Sequence, residues 1–268
     1  MFGNQLEKAL QEVGIDTTGL LRDEEVHTTL AFVHTAPDGD RDFSFYRNPG
    51  ADMMLGEEEI EKNRALIQDC SIFHFGTLSM THENCRKATK KAIEIAKESG
   101  AVISFDPNLR EPLWDTLDEA KAQVAYGIGM CDILKISDNE IQWFTGVQDY
   151  DEAVCKLQTQ FPNISLILVS LGKEGSLAYS GENRVFVPSF KQENTIETTG
   201  AGDTFCAGIL HYVIEHGLNA YCEAELKEML AFANAAAALI TTRKGALRVM
   251  PEQAEVETLV EKYSGIIL

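Results

Sequence analysis

The stretch T-T-G-A-G-D-T-F-C-A-G at residues 198–208 places two glycines and an aspartate where an apolar helical pattern begins. The apolar positions that follow at helical spacing are Phe205, Ile209 and Val213. The residues at the expected helix start are Gly200, Ala201 and Gly202, where free amides and the helix dipole attract anions. Asp203 falls in the first turn, and Gly217 is a stop signal. The stretch indicates either an anion-binding site beside a general base or a tight turn with a purely structural role.

Short apolar runs alternate with amphipathic segments on the N-terminal side of this stretch. The runs I-S-L-I-L-V (164–169) and D-I-L-K-I (132–136) are typical of strands that are buried on both faces. Helices are predicted near 83–98, 117–127, 138–145 and 151–160. Repeated strand-helix units predict an α/β fold with a parallel sheet.

Three segments depart from this alternation. Residues 27–47 alternate in polarity around A-P-D-G-D, which predicts an antiparallel hairpin, and residues 176–190 predict a second hairpin with its turn at 180–183. The chain opens with an amphipathic helix that ends at Gly14, and Asn4 with Glu7 resembles a capping box. The interpretation is one domain over residues 1–268, with 27–47 as a small β lid.

Composition excludes several classes of protein. The 268 residues carry a net charge of −19, which repels phosphate backbones and argues against a nucleic-acid partner. The longest apolar runs are too short to cross a bilayer, and a basic region followed by an apolar core is missing at the start, so no membrane partner is expected. The six cysteines show no paired or zinc-binding spacing and are expected to be reduced thiols in a cytoplasmic protein.

The glycine-rich stretch matches neither of two common phosphate motifs. It lacks G-x-x-x-x-G-K-[ST], and Phe205 occupies the third glycine position of G-x-G-x-x-G. T-T-G-A-G-D-T-F-x-A-G instead resembles the signature of ribokinase-like (PfkB-type) sugar kinases. The resemblance implies a doubly wound, mainly parallel sheet, with Asp203 as general base and the amides of Gly200–Gly202 stabilising the transferring phosphoryl group.

Further stretches resemble the family's nucleotide side, which implies ATP and Mg²⁺. S-L-G-K-E-G-S (170–176) resembles the nucleotide-binding turn, and its candidate residues are Ser170, Gly172 and Gly175. S-D-N-E (137–140) resembles an N-x-x-E element, with Ser137 in place of asparagine and Glu140 as the residue that holds Mg²⁺ through water. Asn234, in F-A-N-A-A-A-A-L-I (232–240), is the expected adenine contact, or else an exposed helix residue.

Two stretches resemble the sugar side of the fructokinase branch. R-D-F-S-F-Y-R-N-P-G-A-D-M-M-L (41–55) supplies Tyr46 and Arg47, and F-D-P-N-L-R-E-P-L-W (105–114) supplies Asn108 and Arg110. The second stretch also resembles 2-keto-3-deoxygluconate kinases. The resemblance implies phosphorylation of fructose to fructose 6-phosphate. The alternatives are 2-keto-3-deoxygluconate kinase activity and a catalytically impaired nucleotide-binding relative.

Two features differ from the family pattern. Glu197 stands where an aspartate is common, at a position that often forms a K⁺ site with Thr199 and a loop resembling T-T-R-K-G-A (241–246). Family members usually open with a strand whose aspartate binds the sugar, followed by a Gly-Gly turn, and M-F-G-N-Q-L resembles a point well inside such a protein. We therefore expect an N-terminally incomplete chain with poor activity, which could form a homodimer through the β lid.

Overall fold

The structure is a computed structural model that describes residues 1–35, 41–192 and 194–267. The described chain divides into two compact units. Unit 1 comprises residues 1–70 and 79–99, and unit 2 comprises residues 71–78 and those from 100 onward. Within the described ranges no helix is both long and apolar enough to cross a membrane. The assignment of residues 1–268 to a single domain stays a prediction.

Unit 1 contains an antiparallel hairpin within residues 27–47. Its strands are β1 (Leu30–Thr35) and β2 (Arg41–Tyr46), and Leu30 lies opposite Tyr46. The predicted turn at 36–40 lies outside the described residues.

The helices of unit 1 are α1 (Phe2–Glu12), α2 (Glu57–Lys62), α3 (Arg64–Gln68) and α4 (Glu83–Ser99). The predicted capping box of Asn4 and Glu7 is wrong, because α1 already begins at Phe2 and both side chains lie inside the helix. Asn4 Oδ1 accepts a hydrogen bond from Arg22 at 2.8 Å, and Glu7 pairs with the same guanidinium. Gly100 follows α4 with a positive φ of 84°, which explains the stop that the sequence predicts.

Unit 2 is built on a mainly parallel sheet. Its strands are β3 (Ile72–Gly76), β4 (Val102–Asp106), β5 (Ile133–Ser137), β6 (Leu166–Ser170), β7 (Gly175–Ser180) and β8 (Asn183–Pro188). The strand order is β3-β4-β5-β6-β7-β8, parallel from β3 to β6 and antiparallel from β6 to β8. The predicted α/β class is confirmed. The predicted second hairpin is β7–β8, with Ser180 opposite Asn183.

The helices of unit 2 are α5 (Leu117–Met130), α6 (Asp138–Thr145), α7 (Tyr150–Gln160), α8 (Ala201–His216), α9 (Glu223–Ile240) and α10 (Gln253–Ile267). A hydrophobic core joins α8 and α9 to the sheet, with Ile209, Leu230 and Leu168 fully buried. A Cβ at Gly208 would lie 2.9 Å from the Ala233 Cα, so glycine lets α8 approach α9 closely. This packing fixes the start of α8 relative to the sheet.

The carboxyl ends of the parallel strands lie at one edge of the sheet. Gly76 pairs with Asp106, and Ser137 pairs with Ser170. The β4–β5 register, with Phe105 opposite Leu134, places Asp106 beside Lys135. Ligands of open parallel sheets bind at this edge, and most of the predicted site residues of unit 2 lie near it.

Candidate active site

The glycine-rich turn begins α8 as the sequence predicts. Gly200 precedes the helix with φ 78° and ψ 0°, a left-handed conformation that favours glycine, and its carbonyl accepts the Thr204 amide at 2.8 Å. A glycine has no side chain with which to cap the helix. Gly202 and Asp203 are both exposed in the first turn. An exposed helix start of this kind can bind an anion through its backbone amides, and the carboxylate of Asp203 can accept a proton.

A buried ion pair lies next to this turn. Lys135 Nζ is 2.8 Å from Asp106 Oδ2, and both side chains are almost fully buried. Burial raises the pKa of Asp106 to about 6, against the opposing charge of Lys135, so Asp106 is still ionised at neutral pH. Burial acts to lower the pKa of Lys135, but the charges of Asp106 and Glu140 outweigh it and the net pKa is raised. Both partners are therefore charged at neutral pH.

The loop after β4 is held by hydrogen bonds from several sides. Asn108 has a φ of 42°, unusual for a residue other than glycine, and its amide donates to Asp106 Oδ1 at 3.1 Å. The Leu109 amide donates to Glu140 Oε1 at 2.7 Å. Arg110 lies at the end of the loop, and its guanidinium donates to the Leu109 carbonyl at 3.1 Å. Asn108, Arg110, Lys135, Ser137, Glu140 and Trp143 are among the residues that line a pocket of about 280 Å³.

Glu140 and Ser137 form a capping box at the start of α6. Ser137 Oγ accepts the Glu140 amide at 3.4 Å, while Glu140 Oε2 accepts the Ser137 amide at 2.9 Å. Glu140 Oε1 accepts the Leu109 amide, so both carboxylate oxygens of Glu140 accept a hydrogen bond from the protein. Glu140 thus joins α6 to the loop after β4. Its role toward Mg²⁺, and that of Ser137 toward the nucleotide, stay predictions.

The predicted nucleotide turn connects β6 to β7. Ser170 ends β6, and Gly172 and Gly175 have positive φ values of 55° and 127°. A Cβ at Gly175 would lie 2.2 Å from the Val187 carbonyl oxygen, so the adjacent β8 backbone requires a glycine there.

Asn234 of α9 is 5% exposed, which excludes the exposed-helix alternative. Its Oδ1 accepts Ser176 Oγ at 2.9 Å, and its Nδ2 donates to the Val187 carbonyl at 3.0 Å. These bonds fasten α9 to β7 and β8. A contact between Asn234 and adenine stays a prediction.

The structure brings Glu197 next to the T-T-R-K-G-A loop at 241–246. The amides of Ile196 and Glu197 donate to the Thr241 carbonyl at 2.8 and 3.1 Å, and Glu197 Oε2 accepts the Gly245 amide at 3.3 Å. Thr199 follows two residues later and is half-buried. Within the part of the chain that the structure describes, no group of three or more His, Cys, Asp or Glu residues could hold a metal. The K⁺ site stays a prediction.

Tyr46 and Arg47 belong to unit 1. The Arg47 side chain is 5% exposed and pairs with Asp52 at 2.6 Å, while its Nη1 donates to Thr81 at 2.7 Å. Tyr46 is 79% exposed. Their roles toward a sugar, and a homodimer formed through the hairpin, stay predictions.

Sequence reasoning missed several residues near the site. Lys135, Asp106 and Trp143 were not singled out, nor was His74 of β3, whose Nδ1 lies 3.0 Å from Ser104 Oγ. A signal for Lys135 was present, because a lysine inside the apolar run D-I-L-K-I must be buried with a partner. Asp106, which ends the previous strand, is that partner.

Comparison with known proteins agrees with this geometry. The model of the pfkB family carbohydrate kinases matches residues 1–253. Fructokinase-1 of Zea mays is 42% identical over 262 residues, covering 97% of this chain and 80% of that protein.

Two solved fructokinase structures are similar over nearly the whole chain. That of Xylella fastidiosa, with bound ATP, has a TM-score of 0.88 at 31% identity and covers 98% of this chain and 83% of its own. The structure of the Vibrio cholerae O395 enzyme, in a fructose, ADP and calcium ion bound form, has a TM-score of 0.83 at 30% identity. The match covers 97% of this chain and 82% of that one. The predicted ribokinase-like fold is confirmed. The chain belongs to the pfkB family of carbohydrate kinases and is a sugar kinase.

Proposed function

We propose that the protein transfers the γ-phosphoryl group of ATP to fructose and forms fructose 6-phosphate. The observation that carries the proposal is the start of α8, where Asp203 is exposed in the first turn beside a glycine turn that has no capping side chain. Fructokinases from plants and bacteria are similar to this chain over almost all of its length, which supports fructose as the sugar.

Asp203 would act as the general base. Its carboxylate would accept the proton of the attacking sugar hydroxyl while that oxygen forms its bond to the γ-phosphorus. The amides of Gly200, Ala201 and Gly202 would bind the oxygens of the transferring group, on which negative charge develops. The Ala201 amide donates to the Thr198 carbonyl at 3.2 Å and would exchange that bond for the ligand. The exposure of Asp203 supports this role, because a base must be accessible to its substrate.

The sugar would be positioned by the loop after β4. Arg110 and Asn108 line the 280 Å³ pocket, and a guanidinium suits oxygen-rich ligands. The bonds of this loop to Asp106 and Glu140 hold it before substrate arrives. Tyr46 and Arg47 are further candidates on the sugar side.

ATP would lie along Ser170, Gly172 and Gly175 toward Asn234, with its phosphates at the start of α8. Mg²⁺ usually keeps several waters and binds through one or two carboxylates together with the phosphates of the substrate. The carboxylate of Glu140 fits such a site and would act through water, because its oxygens already accept protein hydrogen bonds. Bound Mg²⁺ supplies positive charge to the phosphate oxygens. Glu197 and Thr199 are candidates for holding K⁺.

A coupled assay of ADP release with ATP and Mg²⁺ tests the substrate. We expect D-fructose to give the highest kcat/KM in a panel that includes glucose, ribose and 2-keto-3-deoxygluconate. A preference for the keto acid would overturn fructose and assign the second candidate, whose carboxylate Arg110 would bind.

Calorimetry with ATP and Mg²⁺ separates an active kinase from an impaired relative. Nucleotide binding with no turnover on any sugar would assign the impaired relative. Absence of nucleotide binding would contradict the proposed ATP site as a whole.

A further inference from the structure

The Lys135–Asp106 pair is the most buried pair of opposite charges among the described residues. Lys135 is 5% exposed and Asp106 is 4% exposed, and each lies on a central strand of the sheet next to fully buried apolar residues such as Phe105 and Ile136. Removing two charges from water has a large desolvation cost, and a pair of apolar residues in their place is often neutral or stabilising. The pair is therefore poorly explained by stability alone.

Lys135 lies directly beside the glycine turn. A Cβ built on Gly202 would be 3.4 Å from the Lys135 Nζ, so the ammonium group approaches the backbone of the first turn of α8. Lys135 also lines the pocket that contains Arg110 and Ser137. Lys135 thus adjoins both the pocket and the glycine turn whose amides would bind the transferring phosphoryl group.

The surroundings fix this ammonium group in place and keep it charged. Asp106 holds Nζ through one carboxylate oxygen, and its other oxygen accepts the Asn108 amide at 3.1 Å. Asp106 and Glu140 keep Lys135 protonated despite its burial. A charge that is already oriented needs no reorganisation when negative charge develops nearby, and it acts strongly where water is excluded.

We propose that Lys135 is a positioning residue for phosphoryl transfer. Held by Asp106, its ammonium supplies a fixed positive charge behind the Gly200–Gly202 amides, supports the turn at Gly202 and so strengthens the anion site for the transferring group. This inference rests on the proposed function of that site. It predicts that Lys135 contributes little to binding of ground-state nucleotide and much to the transition state.

Removal of both charges separates this role from a structural one. Lys135→Met alone leaves Asp106 buried without its partner and can fail to fold, whereas Lys135→Met with Asp106→Asn removes both charges at similar volume. If the pair were merely structural, the double variant would recover both thermal stability and turnover. We expect it to fold with a melting temperature near the parental value, and kcat to fall ~10²–10³-fold with KM for ATP within about threefold.

The matched control is the exposed pair of Arg184 and Asp151, also in unit 2, whose charged atoms are 2.8 Å apart. Arg184→Met with Asp151→Asn removes the same two charges away from the pocket, and we expect parental kcat. A double variant at Lys135 and Asp106 that folds and keeps kcat within threefold of the parent would overturn the inference.

A second measurement does not depend on turnover. Calorimetry with MgADP, with and without tetrafluoroaluminate as a mimic of the transferring phosphoryl group, should show unchanged ADP affinity and at least tenfold weaker binding of the mimic in the double variant. Equal affinity for the mimic in parent and double variant would also overturn the inference. A parent that binds no ADP would overturn the proposed function itself, and the inference with it.

Discussion

Helices α7 and α8 of unit 2 begin in opposite ways. Before α7, the Asp149 side chain accepts the Glu152 amide at 3.0 Å, so the protein itself satisfies that helix start. Before α8, Gly200 offers no side chain, and the third helical residue, Asp203, is exposed. A helix N-terminus that is capped by the protein's own side chain stabilises the fold. An N-terminus without such a cap leaves backbone amides that can bind a ligand. Equivalent positions in the two helices should therefore respond differently to the same substitution.

The largest difference is expected at the third helical position. Asp203→Asn removes the proposed base and should lower kcat by ~10²–10⁴-fold, with ATP affinity roughly kept. Glu152→Gln is the matched change in α7 and should leave kcat unchanged. Steady-state kinetics and calorimetry measure both. Near-parental turnover of a folded Asp203→Asn protein would exclude Asp203 as the base, whereas unfolding would indicate a structural role for its carboxylate.

A second difference concerns two cysteines at the same offset in the two helices. Cys206 of α8 is buried, and burial raises the pKa of its thiol to about 12, whereas Cys155 of α7 is exposed. Only the thiolate reacts with disulfide reagents, so at pH 8 Cys206 should react more than ~10²-fold slower than Cys155. Mass spectrometry of the modified peptides measures this, with the denatured chain as the control. Equal rates in the folded protein would contradict the packing of α8.

The two glycines that flank α8 give a third test. Both have a positive φ, 78° at Gly200 with ψ 0° and 73° at Gly217 with ψ 156°, so substitution by alanine should cost roughly 1–3 kcal/mol of stability at either position. A Cβ at Gly200 would lie 3.4 Å from the Ile240 side chain, while nothing lies within 4 Å at Gly217. We expect Gly200→Ala to lower kcat as well, and Gly217→Ala to keep it. Loss of turnover in both variants would show that strain alone is responsible.

The smallest effect is expected at the cap of α7. Asp149→Ala removes the bond to the Glu152 amide and should lower the free energy of unfolding by about 1 kcal/mol with no change in kcat. Asp149→Ser keeps a capping oxygen and serves as the control. Denaturant unfolding measures both variants. If Asp149→Ala changed kcat, the N-terminus of α7 would not be purely structural, and the proposed difference from α8 would be wrong.

Local patterns in the sequence predicted much of unit 2. Apolar runs predicted β5 and β6 because strands buried on both faces need continuous apolar residues. Gly146 and Gly217 marked helix ends because both have a positive φ, which favours glycine. The capping box at Asn4 failed because such a motif fixes a helix start only if the helix does not already begin before it.

The interior of the site was harder to predict. The bond between Lys135 and Asp106 depends on the register of β4 and β5, which local periodicity does not determine. The same limit applies to Asn234, whose partner Ser176 is 58 positions away in sequence. The resemblance of S-D-N-E to an N-x-x-E element identified Glu140 as a candidate, but only the three-dimensional structure places its carboxylate against the loop at Leu109.

The strand order of unit 2 has a consequence for how activity appears during synthesis. Strands that are neighbours in the sheet are also neighbours along the chain, so the sheet can grow from short-range pairings as the polypeptide emerges. Lys135 and Asp106 can meet at that stage. Asp203 follows every strand of the sheet and can join them only when α8 packs against the sheet and α9. In refolding experiments, the far-ultraviolet signal of the sheet should therefore recover before catalytic turnover does, and the enzyme's own reaction becomes a reporter of the final docking step.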